Sequence, residues 1–173
     1  MAIFGNFINR VLVLTHKYYE GSVPSPKAFS EIDTETLEKV NAFPASLSKS
    51  IERYRFREAS QELMNLARLG NKYLADEEPW KLIKTDPERV QTIMYVALQV
   101  SAALAIVSEP FLPATSQKLK TMLQLPTHSW GAVEKGATLL EPAHQIGTAT
   151  LLFAKIEDAE IEHQLEKLAQ SKL

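Results

Sequence analysis

Apolar residues recur at spacings of three and four along most of this chain, the period of an amphipathic helix. In residues 3–20 the stripe is Phe4, Phe7, Ile8, Val11, Leu12, Leu14 and Thr15, and Gly21 follows at a helix-stop position. A second helix is expected to start near Asp33 and Thr34, whose short side chains cap free amides. It runs to about residue 41, with a continuation past Pro44 left open. A long third helix spans residues 50–74, with Phe56, Ala59, Leu63, Leu66, Ala67, Gly70 and Tyr73 as its stripe. Arg53, Arg55, Arg57 and Arg68 fall mostly off that stripe and read as a solvated face. Asp86 followed by Pro87 suits the start of a fourth helix. Residues 114–123 form a short helix, 126–146 are irregular, 148–153 a short extended piece, and 157–171 a charged C-terminal helix. The sum is an all-α, up-and-down bundle of five or six helices, one domain over residues 1–173.

Residues 90–108 carry no charge, and Arg89 and Glu109 bracket them. Gln91, Thr92, Gln99, Ser101 and Ser108 interrupt the segment, so it reads as a core helix rather than a membrane span. The net charge of −2 gives no global pull toward nucleic acid. A polyanion site must therefore be local, and DNA is not an expected partner. The first helix is locally basic, with Arg10 and Lys17 and no acid before Glu20. The absence of cysteine excludes disulfides, a thiol nucleophile and a thiolate-bound zinc. His16, His128, His144 and His163 never stand three or four apart, so no His-based metal site is expected. There is no Gly-rich phosphate loop, no G-x-S-x-G elbow and no H-E-x-x-H. The carboxylate pairs Glu77-Glu78 and Glu157-Asp158 fall at solvated helix ends. No basic leader precedes an apolar run after Met1. No catalytic residue, metal or cofactor is expected in this chain.

Residues 71–84, NKYLADEEPWKLIK, place a large indole at a helix boundary beside a proline. Residues 5–21, GNFINRVLVLTHKYYEG, and 56–84, FREASQELMNLARLGNKYLADEEPWKLIK, together resemble the anticodon-binding domain of bacterial-type methionyl-tRNA synthetases. In that family the first helix after the catalytic half carries Asn-x-x-x-Arg, matched here by Asn6 and Arg10. A later helix ends in Asn-x-Tyr with Pro-Trp a few residues on, matched by Asn71, Tyr73, Pro79 and Trp80. The resemblance extends over most of the chain, through the apolar fourth helix to LLFAKIED at 151–158.

The resemblance implies that Asn6, Arg10 and Trp80 read the CAU anticodon of methionine tRNA; Lys17, Lys81 and Lys84 are candidate RNA-backbone contacts by their charge, with plain solvated lysines as the default reading. The residue chemistry agrees. Asn6 and Arg10 are four apart and share a helix face. A planar amide and a forked guanidinium both reach base edges, which single-stranded loops expose. Pro79 would fix the backbone that holds Trp80 as a stacking platform, while Asn71 and Tyr73 build the turn beneath it. The parent would be a cytoplasmic methionine–tRNA ligase whose ATP and methionine belong to a catalytic domain absent from this chain. The partners would be methionine tRNA and that catalytic domain, with no membrane. The chain's own part is recognition, without catalysis.

Other readings of the same residues stand beside this one. The helical domain of another class I synthetase is one. A helical protein-interaction module, with Trp80 and Trp130 as anchors, is another. Trp80 could plug the base of the bundle, Asn6 could cap the first helix, and Arg10 could pair with an acid. Trp130 reads as core. Residues 46–50, SLSKS, differ from the family's K-M-S-K-S loop and follow the Asn-x-x-x-Arg helix instead of preceding it. The terminal SKL is read as accident rather than a peroxisomal address.

Overall fold

The apolar stripes fold as helices. A computed structural model describes residues 2–154 and 156–170, and among these eight helices and no strand occur. They are α1 (Ala2–Tyr19), α2 (Glu31–Glu52), α3 (Phe56–Glu77), α4 (Pro79–Leu82), α5 (Pro87–Val107), α6 (Pro113–Leu123), α7 (Trp130–Glu134) and α8 (Asp158–Gln170). Six have eleven residues or more, and α4 and α7 are single-turn pieces inside connections. The all-α bundle expected from the sequence is present. The extended piece at 148–153 is not a strand. The isolated β-bridge among the described residues joins Ser22 to Gln145 instead.

Two helix boundaries differ from expectation. Ser30, not Asp33, caps α2: its Oγ accepts from the Asp33 amide at 3.4 Å, and Asp33 Oδ2 accepts from the Ser30 amide at 2.8 Å. This reciprocal capping box needs the acid at the third helical position, which is where Asp33 lies. α2 then continues through Pro44 to Glu52, so α3 starts at Phe56 rather than near residue 50. Phe56 therefore leaves the apolar stripe and is 56% exposed. The SLSKS segment lies within α2, with Leu47 and Ser50 buried.

α5 is the axis of the core, packing against α1, α2, α3, α4, α6 and α7. It is long and apolar enough to cross a membrane, yet 94% of its most apolar stretch is buried by the rest of the chain. Three of its buried polar side chains find partners inside the protein, whereas the Ser108 hydroxyl at its C-cap has none among the described residues. Gln99 Nε2 donates to the Leu140 carbonyl at 2.7 Å, and Gln99 Oε1 accepts from the Leu139 amide at 2.9 Å. Thr92 Oγ1 accepts from the Lys27 amide, and Ser101 donates to the Ala97 carbonyl. Gln99 thus ties the irregular segment to the core. His16 and His144 also tie this region to the helices, meeting the Gly147 and Leu123 carbonyls at 2.9 and 2.8 Å, while His128 braces the segment internally through the Leu139 carbonyl at 3.0 Å.

Four helix ends meet at one end of the bundle. Asn71 Nδ2, late in α3, donates to the Ile3 carbonyl in the first turn of α1 at 2.8 Å. Tyr73, also late in α3, reaches Asp33 at the start of α2, and Arg89 at the start of α5 reaches both Asp33 and Glu77. The short α4 lies in this region.

Candidate nucleic-acid interface

α3 ends at Glu77, and Glu78 takes a left-handed conformation (φ 42°, ψ 54°) as its cap. A residue before proline disfavours the helical regions, so the chain turns sharply here at some cost. Buried Pro79 opens α4, and Trp80 follows it. Asn71 and Tyr73 hold this end as the sequence suggested. Asn71 bridges to α1, while the fully buried Tyr73 donates its hydroxyl to Asp33 Oδ1 at 2.5 Å.

Beneath the turn lies an ion-pair cluster that sequence reasoning missed. The Arg89 guanidinium donates to both oxygens of Asp33, through Nη1 to Oδ2 and through Nη2 to Oδ1 at 2.9 Å. Its Nη2 also reaches Glu77 Oε2, the last residue of α3, at 2.7 Å. Asp33 is wholly buried. Burial alone would push its carboxyl up, but hydrogen bonds from Arg89, Tyr73 and Ser30 outweigh that and hold it below the ordinary carboxylate range. Burial and the bond to Asp33 push the Tyr73 hydroxyl up. The hydrogen bond to Asp33 also drives the Arg89 guanidinium up. These three groups are therefore fixed in their ordinary charge states and position the α3 end from which Trp80 projects.

The structure brings Arg10 and Trp80 together. The Arg10 guanidinium carbon sits 5.5 Å from the centroid of the Trp80 ring, a cation–π contact. Trp80 remains 38% exposed, so it does not plug the bundle. No ion pair holds Arg10 among the described residues. Asn6 lies inside α1 rather than at its cap. Asn6 and Arg10 line one shallow surface depression with Asn9, Val13 and Leu14. Asn9 is exposed and was missed, although the polar run at 6, 9 and 10 already marked that face.

The lysines divide. Lys17 continues the 6–10–13 stripe of α1 and is exposed, its ammonium 5.5 Å from the Tyr18 ring centroid. Lys81 pairs with Glu78 at 2.7 Å. Lys84 is exposed in the turn after α4. Trp130 is half-buried and donates Nε1–H to the Ile106 carbonyl at 3.2 Å, which ties it to the core rather than to an interface. No cluster of three or more metal-ligating side chains occurs among the described residues.

The site is thus a solvent-facing indole held against a guanidinium, beside two exposed asparagines, on a rigid helix corner. That is equipment for stacking and for reading hydrogen-bonding edges. The fold matches that of Mycobacterium tuberculosis methionyl-tRNA synthetase, in its apo form at TM-score 0.82 and 22% identity, over 91% of this chain and 32% of that one. The same synthetase in complex with methionyl-adenylate matches at TM-score 0.82 and 24% identity, over 88% of this chain and 31% of that one. Sequence likeness is much higher elsewhere. A methionine–tRNA ligase of Christiangramia forsetii is 63% identical over 99% of this chain and 26% of its own length. That of Flavobacterium psychrophilum is 60% identical over 99% of this chain and 25% of its own length. The family model for the anticodon binding domain of methionyl tRNA ligase matches residues 23–172. This chain belongs to that family, which sets aside the domains of other class I synthetases. It spans about a quarter of the length of these curated relatives.

Proposed function

We propose that residues 1–173 act as a single anticodon-binding domain that docks the CAU loop of methionine tRNA. In the longer enzyme it serves a separate catalytic domain, where ATP and methionine are handled, and the setting is the cytoplasm. Arg10 and Asn6 read base edges, and Trp80 stacks on a base. The observation that carries this reading is the Arg10–Trp80 contact at 5.5 Å, with the indole still open to solvent. Stacking and edge readout are how single-stranded loops are recognised. Lys17 extends the same α1 face and can follow the RNA backbone. Lys81 and Lys84 flank Trp80 in the sequence and are weaker candidates, Lys81 because Glu78 already neutralises it. Recognition at this site would favour productive placement of the acceptor end in the catalytic domain.

A labelled anticodon stem-loop bearing CAU, titrated with this chain at low salt and followed by anisotropy, tests the assignment. A loop with one changed anticodon base and the Trp80→Ala protein are the controls. A base–aromatic stack contributes about 1–3 kcal/mol, so Trp80→Ala should weaken CAU binding roughly tenfold or more and erase the preference. Equal binding of both loops, with or without the indole, would overturn the site.

A further inference from the structure

The Trp80 site carries little surplus positive charge. Arg10 is engaged with the indole, Lys81 is paired with Glu78, and Glu77 and Glu78 immediately precede it. That leaves Arg10 and Lys17 as the cations of this face without an ion pair among the described residues, and with a net charge of −2 a longer stretch of RNA backbone calls for further basic surface. The other end of α3 supplies it. Residues 53–57 read Arg-Tyr-Arg-Phe-Arg, three cations and two aromatics bracketed by the exposed acids Glu52 and Glu58. All five are exposed, Tyr54 by 81% and Phe56 by 56%. The two rings meet edge to face with centroids 6.2 Å apart. Arg55 pairs with Glu58 at 3.3 Å, but no ion pair among the described residues holds Arg53 or Arg57.

The backbone adds a second, independent observation. Tyr54 has φ 58°, and its amide donates to the Ile51 carbonyl while the Arg55 amide donates to the Ser50 carbonyl. This pair of bonds closes a helix in the position where glycine is the usual choice, because a Cβ is unfavourable there. Gln124 closes α6 in the same way (φ 46°), so the conformation alone does not single out Tyr54; what sets it apart is that the residue in glycine's place is a large ring left 81% exposed beside Phe56.

We propose that this α2–α3 corner is a second RNA-contact surface, binding the phosphate backbone of the tRNA whose anticodon loop docks at Trp80. The inference rests on that docking. Arg53, Arg55 and Arg57 neutralise phosphates, and the Tyr54–Phe56 pair packs on a sugar or an unstacked base. The 22 residues of α3 separate the two sites by about 33 Å.

The test titrates this chain with full-length methionine tRNA and with the same tRNA carrying one changed anticodon base, across a series of salt concentrations. Arg53→Gln combined with Arg57→Gln should weaken both tRNAs by the same factor. It should also reduce the slope of log affinity against log salt by about 1.5, two charges at 0.7–0.9 each. Trp80→Ala should instead remove the preference for CAU and leave the slope unchanged. Tyr54→Gly gives an independent arm: it should raise the urea midpoint by relieving strain, and yet weaken tRNA binding. If the double variant leaves the slope and both affinities unchanged, the second surface falls while the Trp80 assignment stands. If the double variant behaves as expected but Trp80→Ala does not affect discrimination, the anticodon assignment fails instead. Absence of tRNA binding by the unaltered chain overturns both.

Discussion

The Arg10 guanidinium rests on an indole rather than a carboxylate, which determines what a substitution there should do. Lysine keeps the charge but loses the planar fork that stacks on a ring and donates to two acceptors at once. A bidentate contact to a base edge contributes about 1–3 kcal/mol of discrimination. Arg10→Lys should therefore reduce the preference for CAU by roughly tenfold, while the salt dependence of binding stays the same. Titrating the variant with matched and mismatched stem-loops at two salt concentrations checks both halves. A change in salt slope without loss of discrimination would mean that Arg10 contacts phosphate only. Asn6, Arg10 and Trp80 were singled out from the sequence because Asn-x-x-x-Arg and Asn-x-Tyr followed by Pro-Trp resemble the family's pattern. The contact between Arg10 and Trp80 was not, because it depends on how two helix ends are brought together.

At the scale of elements, the α1–α3 contact is set by a missing side chain. A Cβ built on Gly70 would lie 2.5 Å from Cζ of Phe7, whose ring is fully buried. The two helices approach this closely only because Gly70 has no side chain. Alanine in a helix gains about 1 kcal/mol over glycine in propensity, but overpacking a filled core costs about 1–3 kcal/mol. All three of the nearest atoms belong to the fully buried Phe7 ring, so the second effect should win. Gly70→Ala is expected to lower stability by about 1 kcal/mol in urea unfolding. Combined with Phe7→Leu, which trims the ring, it should cost less than the two single changes added together. Strict additivity would show that the contact is not the cause. The apolar stripes located the long helices well because burial repeats with the helical period. The starts of α2 and α3 were missed for a different reason. The capping box has Asp33 where the usual signature has Glu or Gln, and Pro44 sits inside a helix that continues on both sides of it.

At the scale of the whole molecule, the Asp33–Arg89 pair, with Tyr73 and Glu77, links α2, α3 and α5 under the Trp80 turn. Nothing in the sequence identified it. Asp33 read as a helix cap and Arg89 as the bracket of an apolar run, and they lie 56 positions apart. Removing one partner of a buried pair leaves the other uncompensated, at a cost of about 3–5 kcal/mol. Asp33→Asn should therefore destabilise the chain by about that amount at pH 7. The pH dependence follows from the sign of the shift. The folded carboxyl lies below its unfolded value of about 3.9, so its contribution is fully present above that value. It is lost as pH falls through the lower, folded value, because the native state must then take up a proton that the unfolded chain already holds. Urea midpoints measured from pH 7 down to pH 2.5 should fall steeply below about pH 4 in the unaltered chain and less steeply in Asp33→Asn. The difference between the two proteins should be greatest at neutral pH and shrink toward the acid end. Curves that stay parallel over the whole range would show that Asp33 stabilises the bundle through packing alone.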